Sequence, residues 1–340
     1  MTATIRFGLC GTGYISRIHA AGIAATPGAE LAAVHNHRAE SLAPFVADHP
    51  APLATTDWDA FVAAARAGAF EVAVIGTPNA LHAPQAIALL EAGVHVLVEK
   101  PMATTVAEAE AMIAAAERAG RVVMTAHMWR FDPDARWLRE RIAAGAIGRV
   151  VRSRAIGVHT WWGPSGWFTQ KRLAGGGALA DMGVHAIDTV RYLIGDPRAV
   201  RVTARIGTHY GSYDVDDTAV LLVDWDDGTA SQIEAGWWQV QSDGPEAATR
   251  IHGTAAFASL FPTLVTRERE DETTETTTPP PFERTEHCDP RIYAAQIAHA
   301  AAVARGSEAP LIGPAVGLEV MRIMEAAYRS AATGGEVTLR

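Results

Sequence analysis

Along the first 127 residues, short apolar runs alternate with alanine-rich stretches whose apolar positions recur every three to four residues. The runs fall at 5–10, 31–35, 72–76, 94–98 and 122–126. The stretches between them fall at 14–25, 39–48, 58–67, 81–92 and 106–119. Continuous apolar runs of this length fit strands buried on both faces, and the periodic stretches fit helices that cover them. Turn residues separate the units: Thr26-Pro27-Gly28, Thr77-Pro78-Asn79, Ala92-Gly93 and Ala119-Gly120. The pattern predicts an α/β domain, a parallel sheet with helices on both faces, over residues 1–127.

The texture changes beyond about residue 148. Runs at 150–158, 200–208, 218–225, 229–238 and 249–260 are longer, partly alternating and rich in Val, Thr and Trp. Asp226-Asp227-Gly228 between two of them is a hairpin signal. A helix over about 178–194 is expected to lie against this sheet, and two more helices, 290–304 and 314–332, close the chain. The second domain, 128–340, therefore reads as α+β with a mostly antiparallel sheet, its last helix expected to pack back on the first domain. The polar stretch 267–280 fits either a surface loop or an exposed edge strand.

Composition narrows the functional classes. With 340 residues, 49% hydrophobic, 20% charged and a net charge of −9, the chain suits neither nucleic acid nor an anionic membrane surface as a partner. Its two cysteines, Cys10 and Cys288, are too few for a disulfide framework and fit a reducing compartment. The start of the chain lacks a basic segment followed by an apolar core, and no run suggests a membrane span. A cytoplasmic protein is expected. Cysteines and histidines show no metal-site spacing.

Candidate chemistry begins after the first run. In GLCGTGYISRIHA, Gly11, Gly13 and Ser16 occupy the positions of G-x-G-x-x-small. Gly11 suits a tight turn, Gly13 a close backbone approach to a diphosphate, and Ser16 close helix–strand packing. The N-terminus of the following helix, with Tyr14 and Ile15, would face the phosphates. At the end of the second run the acid that binds an NAD ribose is missing. Asn36 stands about there and Arg38 follows, which favours NADP, with NAD the alternative. Glu99-Lys100-Pro101 closes the fifth run, where active residues of open α/β sheets gather; Lys100 could polarise a carbonyl or be a surface lysine. In 173–196, three glycines lead into a helix carrying Asp181, His185 and Asp188. Asp181 and His185 are four residues apart and share a helix face. Asp188 falls on nearly the same stripe and could pair with Arg191. The stripe is expected to face a substrate cleft.

These motifs, taken in order, resemble the Gfo/Idh/MocA oxidoreductase family: Gly11-Thr12-Gly13; Thr77-Pro78-Asn79 with His82; Ala92-Gly93-Val94-His95-Val96 running into Glu99-Lys100-Pro101; and Gly175-Gly176-Gly177-Ala178-Leu179 with Asp181 and His185 to Asp188. The resemblance covers essentially the whole chain. It implies a Rossmann domain for a nicotinamide cofactor, then a C-terminal domain whose large open sheet holds substrate and mediates homo-oligomerisation. By the same resemblance Lys100 contacts the substrate hydroxyl, His185 transfers the proton and Asp181 supports it. Thr77, Pro78, Asn79, His82 and Glu99 line the cofactor with Lys100. Arg130, His159, Trp161 and Trp167 are expected to bind substrate, the tryptophans as platforms for a sugar ring. The implied reaction moves a hydride between the nicotinamide and a carbinol or carbonyl carbon of a sugar, cyclitol or related polyol. Two alternatives stay open: a glycosidase that uses NAD in a transient redox–elimination cycle, and a dinucleotide-binding sensor without turnover.

Overall fold

The computed structural model describes residues 3–269, 271–284 and 289–339; Cys288 lies outside the described residues. They divide into two compact units, residues 1–131 with 284–318, and residues 132–283 with 319–340.

The first unit is built on a parallel sheet of six strands in the order β3-β2-β1-β4-β5-β6. These are β1 (Ile5–Cys10), β2 (Ala29–His35), β3 (Leu53–Thr55), β4 (Val72–Ile75), β5 (His95–Val98) and β6 (Val123–Thr125). The crossovers are α1 (Tyr14–Ala25), α2 (Ala39–Asp48), α3 (Trp58–Arg66), α4 (His82–Glu91) and α5 (Val106–Ala119). Strands β1, β4 and β5 are almost wholly buried, as continuous apolar runs require. Local signals set the helix ends. Asp57 caps α3 through the N–H groups of Asp59 and Ala60, and Thr105 caps α5 through that of Glu108. Gly120, left-handed at φ 61°, closes α5. Edge strand β3 is too short for the apolar pattern to reveal.

This unit also takes in a helix that the sequence pattern assigns to the second domain, Pro290–Ala304. It packs on α1. Gly22 of α1 admits it, since a Cβ there would lie 3.3 Å from the Ala294 nitrogen.

The second unit holds a sheet of nine strands in the order β14-β13-β12-β11-β7-β10-β9-β8-β15. They are β7 (Val150–Thr160), β8 (Ala199–Gly207), β9 (Thr218–Trp225), β10 (Ala230–Gln239), β11 (Thr249–Gly253), β12 (Phe257–Leu260), β13 (Leu264–Glu268), β14 (Thr274–Thr277) and β15 (Val337–Thr338). All neighbouring pairs are antiparallel except β7 with β10. The expected hairpin joins β9 and β10, with Gly228 at φ 83°. The run 249–260 is two strands, β11 and β12, and part of the polar stretch 267–280 forms the exposed edge strand β14.

The helices here are α6 (Pro133–Ala143), the short α7 (Lys171–Ala174) and α8 (Val184–Ile194). The sequence reading passes over α6, although Asp132 caps it and Pro133 opens it. With the helix on α1 numbered α9, α10 spans Pro314–Thr333, residues 319 onward belonging to this unit. Helix α8 lies against β7, β10 and β11. Among the described residues no helix is long and apolar enough to cross a membrane.

Candidate active site

In the first unit the candidate residues gather at the carboxyl ends of β1, β2, β4 and β5. Gly11 follows β1 at φ 95°, and a Cβ there would lie 2.6 Å from the Gly76 carbonyl oxygen. Only glycine fits that turn. Ser16 Oγ meets the same carbonyl at 3.5 Å, so a small residue at 16 lets α1 sit close to β4. Gly13 differs from Gly11. It precedes α1 with ordinary backbone angles (φ −74°), offers no side-chain cap, and a Cβ there would meet nothing within 4 Å. Beside Gly13, the N-terminus of α1 thus turns the positive end of its dipole toward open space. That cradle fits a diphosphate. Tyr14 beside it is exposed and Ile15 half-buried.

Past β2, the Asn36 side chain turns back to the glycine loop. Its Nδ2 donates to Thr12 Oγ1 at 2.5 Å and its Oδ1 accepts from the Arg38 N–H at 2.9 Å. Arg38 itself is exposed, with Glu40 4.0 Å away. Past β4, Asn79 is buried in a 3-10 turn. The buried His82 ring bridges two of the expected motifs, Nε2 lying 2.9 Å from the Thr77 carbonyl oxygen and Nδ1 2.9 Å from that of Pro101. Burial pulls the His82 pKa down, and the two carbonyls pull it up by less. Among the described residues no three His, Cys, Asp or Glu side chains could hold a metal ion.

Lys100, half-buried, follows β5. Its backbone N–H donates to Glu99 Oε2 at 3.2 Å, while Glu99 Oε1 lies 2.7 Å from Nε2 of His19. His19 is fully buried on α1 and meets the Tyr293 ring edge-on at 5.3 Å. The Tyr293 hydroxyl in turn donates to Met128 Sδ at 2.8 Å. His19 is absent from the sequence-based candidates. The signal was an imidazole three residues after Ser16, on the sheet-facing side of α1. Nearby, Arg130 is 1% exposed within the 3-10 turn Met128–Phe131.

In the second unit, the helix carrying Asp181 and His185 does not start as an α-helix. Leu179–Gly183 forms a π-helical turn that runs into α8, a widening common at functional sites. Its start is held from far along the chain. Asp216 accepts from the backbone N–H groups of Gly177 and Leu179 at 2.8 Å each, and from the Tyr328 hydroxyl at 2.7 Å. The glycines at 176 and 177 serve this packing, for a Cβ on either would overlap Tyr328 or the Asp216 backbone. Asp181 accepts from Trp237 Nε1 at 3.0 Å. His185 Nε2 lies 3.1 Å from Glu246 Oε1, and Glu246 is another residue the sequence reading missed. Asp188 is buried, while Arg191 donates to the carbonyls of Pro197 and Asp196.

The aromatic residues ahead of the glycines form stacked pairs, His159 on Trp162 at 3.5 Å and Trp167 on Phe168 at 3.8 Å. Trp161 is 71% exposed. Both Trp161 and Trp238 have left-handed backbones, φ 61° and 60°. Two backbone bonds join these strand ends, Trp161 N–H to the Gln239 carbonyl and Trp238 N–H to that of Trp162, each 2.9 Å.

Two family models match the chain. One, described as an oxidoreductase family with an NAD-binding Rossmann fold, matches residues 5–127. The other, a GFO/IDH/MocA C-terminal domain, matches residues 135–259. A 1,5-anhydro-D-fructose reductase of Ensifer adhaerens is 31% identical over 252 residues, 73% of each chain. A D-glucoside 3-dehydrogenase of Escherichia coli (strain K12) is 29% identical over 294 residues, 80% of this chain and 81% of its own. Among solved structures, a levoglucosan dehydrogenase in complex with NADH has a TM-score of 0.88 at 26% identity, covering 99% of both chains.

Proposed function

The chain belongs to the Gfo/Idh/MocA family of oxidoreductases, and from that premise we propose that it moves a hydride between a nicotinamide dinucleotide and a carbinol or carbonyl carbon of a sugar or cyclitol. The observation that carries the reading is the open cradle at Gly13, in one sheet with a half-buried lysine at the end of β5. Relatives that act on anhydrofructose, glucosides and levoglucosan support a carbohydrate substrate.

When bound, the nicotinamide accepts the hydride as the alcohol is oxidised. Gly11, Gly13 and the first turn of α1 would hold its diphosphate, with Tyr14 and Ile15 alongside and Thr77, Pro78, Asn79, His82 and Glu99 lining it. The Lys100 ammonium stabilises the alkoxide that develops on the substrate oxygen. The His185 imidazole takes the hydroxyl proton. Asp181, oriented by Trp237, accepts from a neighbouring sugar hydroxyl. Trp161, Trp167 and His159 offer ring faces to the sugar's C–H surface, and Arg130 contributes a hydrogen bond.

We assign NADP as the preferred cofactor. Asn36 is neutral and engaged with Thr12, and the exposed Arg38 beside it suits a 2′-phosphate. Val220 and Leu222, exposed on the face of β9, support a homo-oligomer through the sheet.

A cofactor-reduction screen over sugars and cyclitols, run with NAD and NADP, tests the reading. Lys100→Met and His185→Ala should each lose at least a hundredfold in kcat, within the contribution of acid–base catalysis. Arg38→Ala should raise the KM for NADP about tenfold and leave that for NAD unchanged. Undiminished turnover in both catalytic variants refutes the proposed roles.

A further inference from the structure

The backbone that carries Lys100 is held on both sides of that residue. The Glu99 N–H donates to the Ile75 carbonyl of β4 at 2.9 Å, and His82 Nδ1 meets the Pro101 carbonyl oxygen at 2.9 Å. Between them, the Lys100 N–H has a side chain for its acceptor, Glu99 Oε2 at 3.2 Å. What fixes that carboxylate therefore bears on where the lysine starts. The Glu99 side chain is 8% exposed. A carboxylate so buried is costly unless donors meet it.

His19 supplies such a donor from α1. Its Nε2 lies 2.7 Å from Glu99 Oε1, the short range of a charge-assisted hydrogen bond. An ionised carboxylate only accepts, so the ring proton is on Nε2. Nδ1 is buried and meets no hydrogen-bond partner among the described residues. The imidazole thus has one hydrogen-bonding task, at Glu99. Its neighbours on the buried face of α1, Ser16, Ala20 and Ile23, are small or apolar, and the Tyr293 ring of α9 lies edge-on to it. Packing alone would be met there by a side chain with no polar atom.

Resting on the dehydrogenase reading, we propose that His19 is a positioning residue for Lys100 and acts through Glu99. The ring fixes one carboxylate oxygen, which keeps the other aimed at the Lys100 N–H. The lysine side chain then departs from a fixed point of the backbone, and its ammonium is set in place before the alkoxide develops. Without the His19 donor the carboxylate is free to turn, the Lys100 N–H loses its acceptor, and that presetting is lost.

The test uses the full chain, labelled for amide NMR. His19→Leu keeps a buried apolar side chain without a donor, and His19→Gln keeps an N–H that reaches the position of the imidazole Nε2. In His19→Leu the Lys100 amide should exchange with deuterium at least about tenfold faster than in the wild type. The Val96 amide, whose acceptor is the Val122 carbonyl, should keep its rate. On the best substrate of the cofactor-reduction screen, kcat should fall at least about tenfold, with the KM for dinucleotide within about threefold. His19→Gln should bring both the Lys100 exchange and kcat back to within about threefold of the wild type. His19→Asn, whose amide is too short to reach Glu99, replaces the leucine variant if that one does not fold. Lys100 exchange that stays unchanged in the donorless variant, or that rises only together with Val96, overturns the proposal. Faster Lys100 exchange with unchanged kcat overturns it too, as does a glutamine variant as impaired as the donorless one. Because exchange is read without substrate, a wild type that turns over nothing in the screen would refute the dehydrogenase reading separately.

Discussion

The two glycines of the first turn should fail in opposite ways when each is given a methyl group. At Gly11 the backbone is left-handed, φ 95°, and an added Cβ would lie 2.6 Å from the Gly76 carbonyl oxygen. The conformation alone costs an L-residue about 1–2 kcal/mol, and forcing the end of β4 away adds about 1–3 kcal/mol. Gly11→Ala should therefore lose about 2–5 kcal/mol of stability, or roughly 4–20 °C in melting temperature for a unit of this size. At Gly13, φ is −74° and a Cβ would meet nothing within 4 Å. Gly13→Ala should melt within about 1 kcal/mol of the wild type, a weaker helix cap being offset by a stiffer unfolded chain. Its methyl group would stand where a diphosphate must approach. Dinucleotide affinity should then fall at least tenfold, about 1.4 kcal/mol. Thermal unfolding and a fluorescence titration with NAD and NADP read the two quantities separately. A Gly13→Ala protein that binds both dinucleotides like the wild type would refute the assignment of the cradle.

Other consequences reach beyond the cofactor turn. Tyr328→Phe removes the 2.7 Å hydrogen bond to the Asp216 carboxylate that organises the start of the π turn. A hydrogen bond to a charged group is worth about 1.5–3 kcal/mol, so the variant should melt roughly 3–12 °C lower. His35, packed against Trp58 and Phe61, has its pKa lowered, chiefly by burial and then by His37. The native ring stays neutral where the unfolded one takes up a proton. Its contribution is intact above the unfolded value near 6.5 and is lost as pH falls below it, by at most about 1.4 kcal/mol per pH unit. His35→Phe should flatten the decline in melting temperature between about pH 6.5 and 5, whereas an unchanged slope would contradict the assignment.

Much of the first unit was legible because its strands are buried on both faces. Runs such as 72–76 and 94–98 therefore stand out, and the glycine turn, the lysine at the end of β5 and the Asp181–His185 helix all have local signatures. What escaped detection depends on contacts between distant residues. Glu246 reaches His185 across 61 positions because Ala247 is clamped to β7. Nothing in the residues around position 246 announces that partner. Asp216 caps a helix whose own sequence carries no capping side chain. The π turn likewise has no periodic signature, since an i, i+4 pattern reads as α-helix in either case. The packing of α9 on α1 passes closely over Gly22, a glycine inside a helix that a sequence pattern treats merely as tolerated.

The most direct measurement follows the hydride itself. A sugar or cyclitol that supports cofactor reduction is prepared with deuterium on the carbinol carbon, and the reduced nicotinamide is recovered after a single turnover for NMR. Deuterium is expected at nicotinamide C4 in stoichiometric amount for the wild type, and none above background for Lys100→Met or His185→Ala. Reduced cofactor without the label, or labelled cofactor formed equally by those variants, would contradict it.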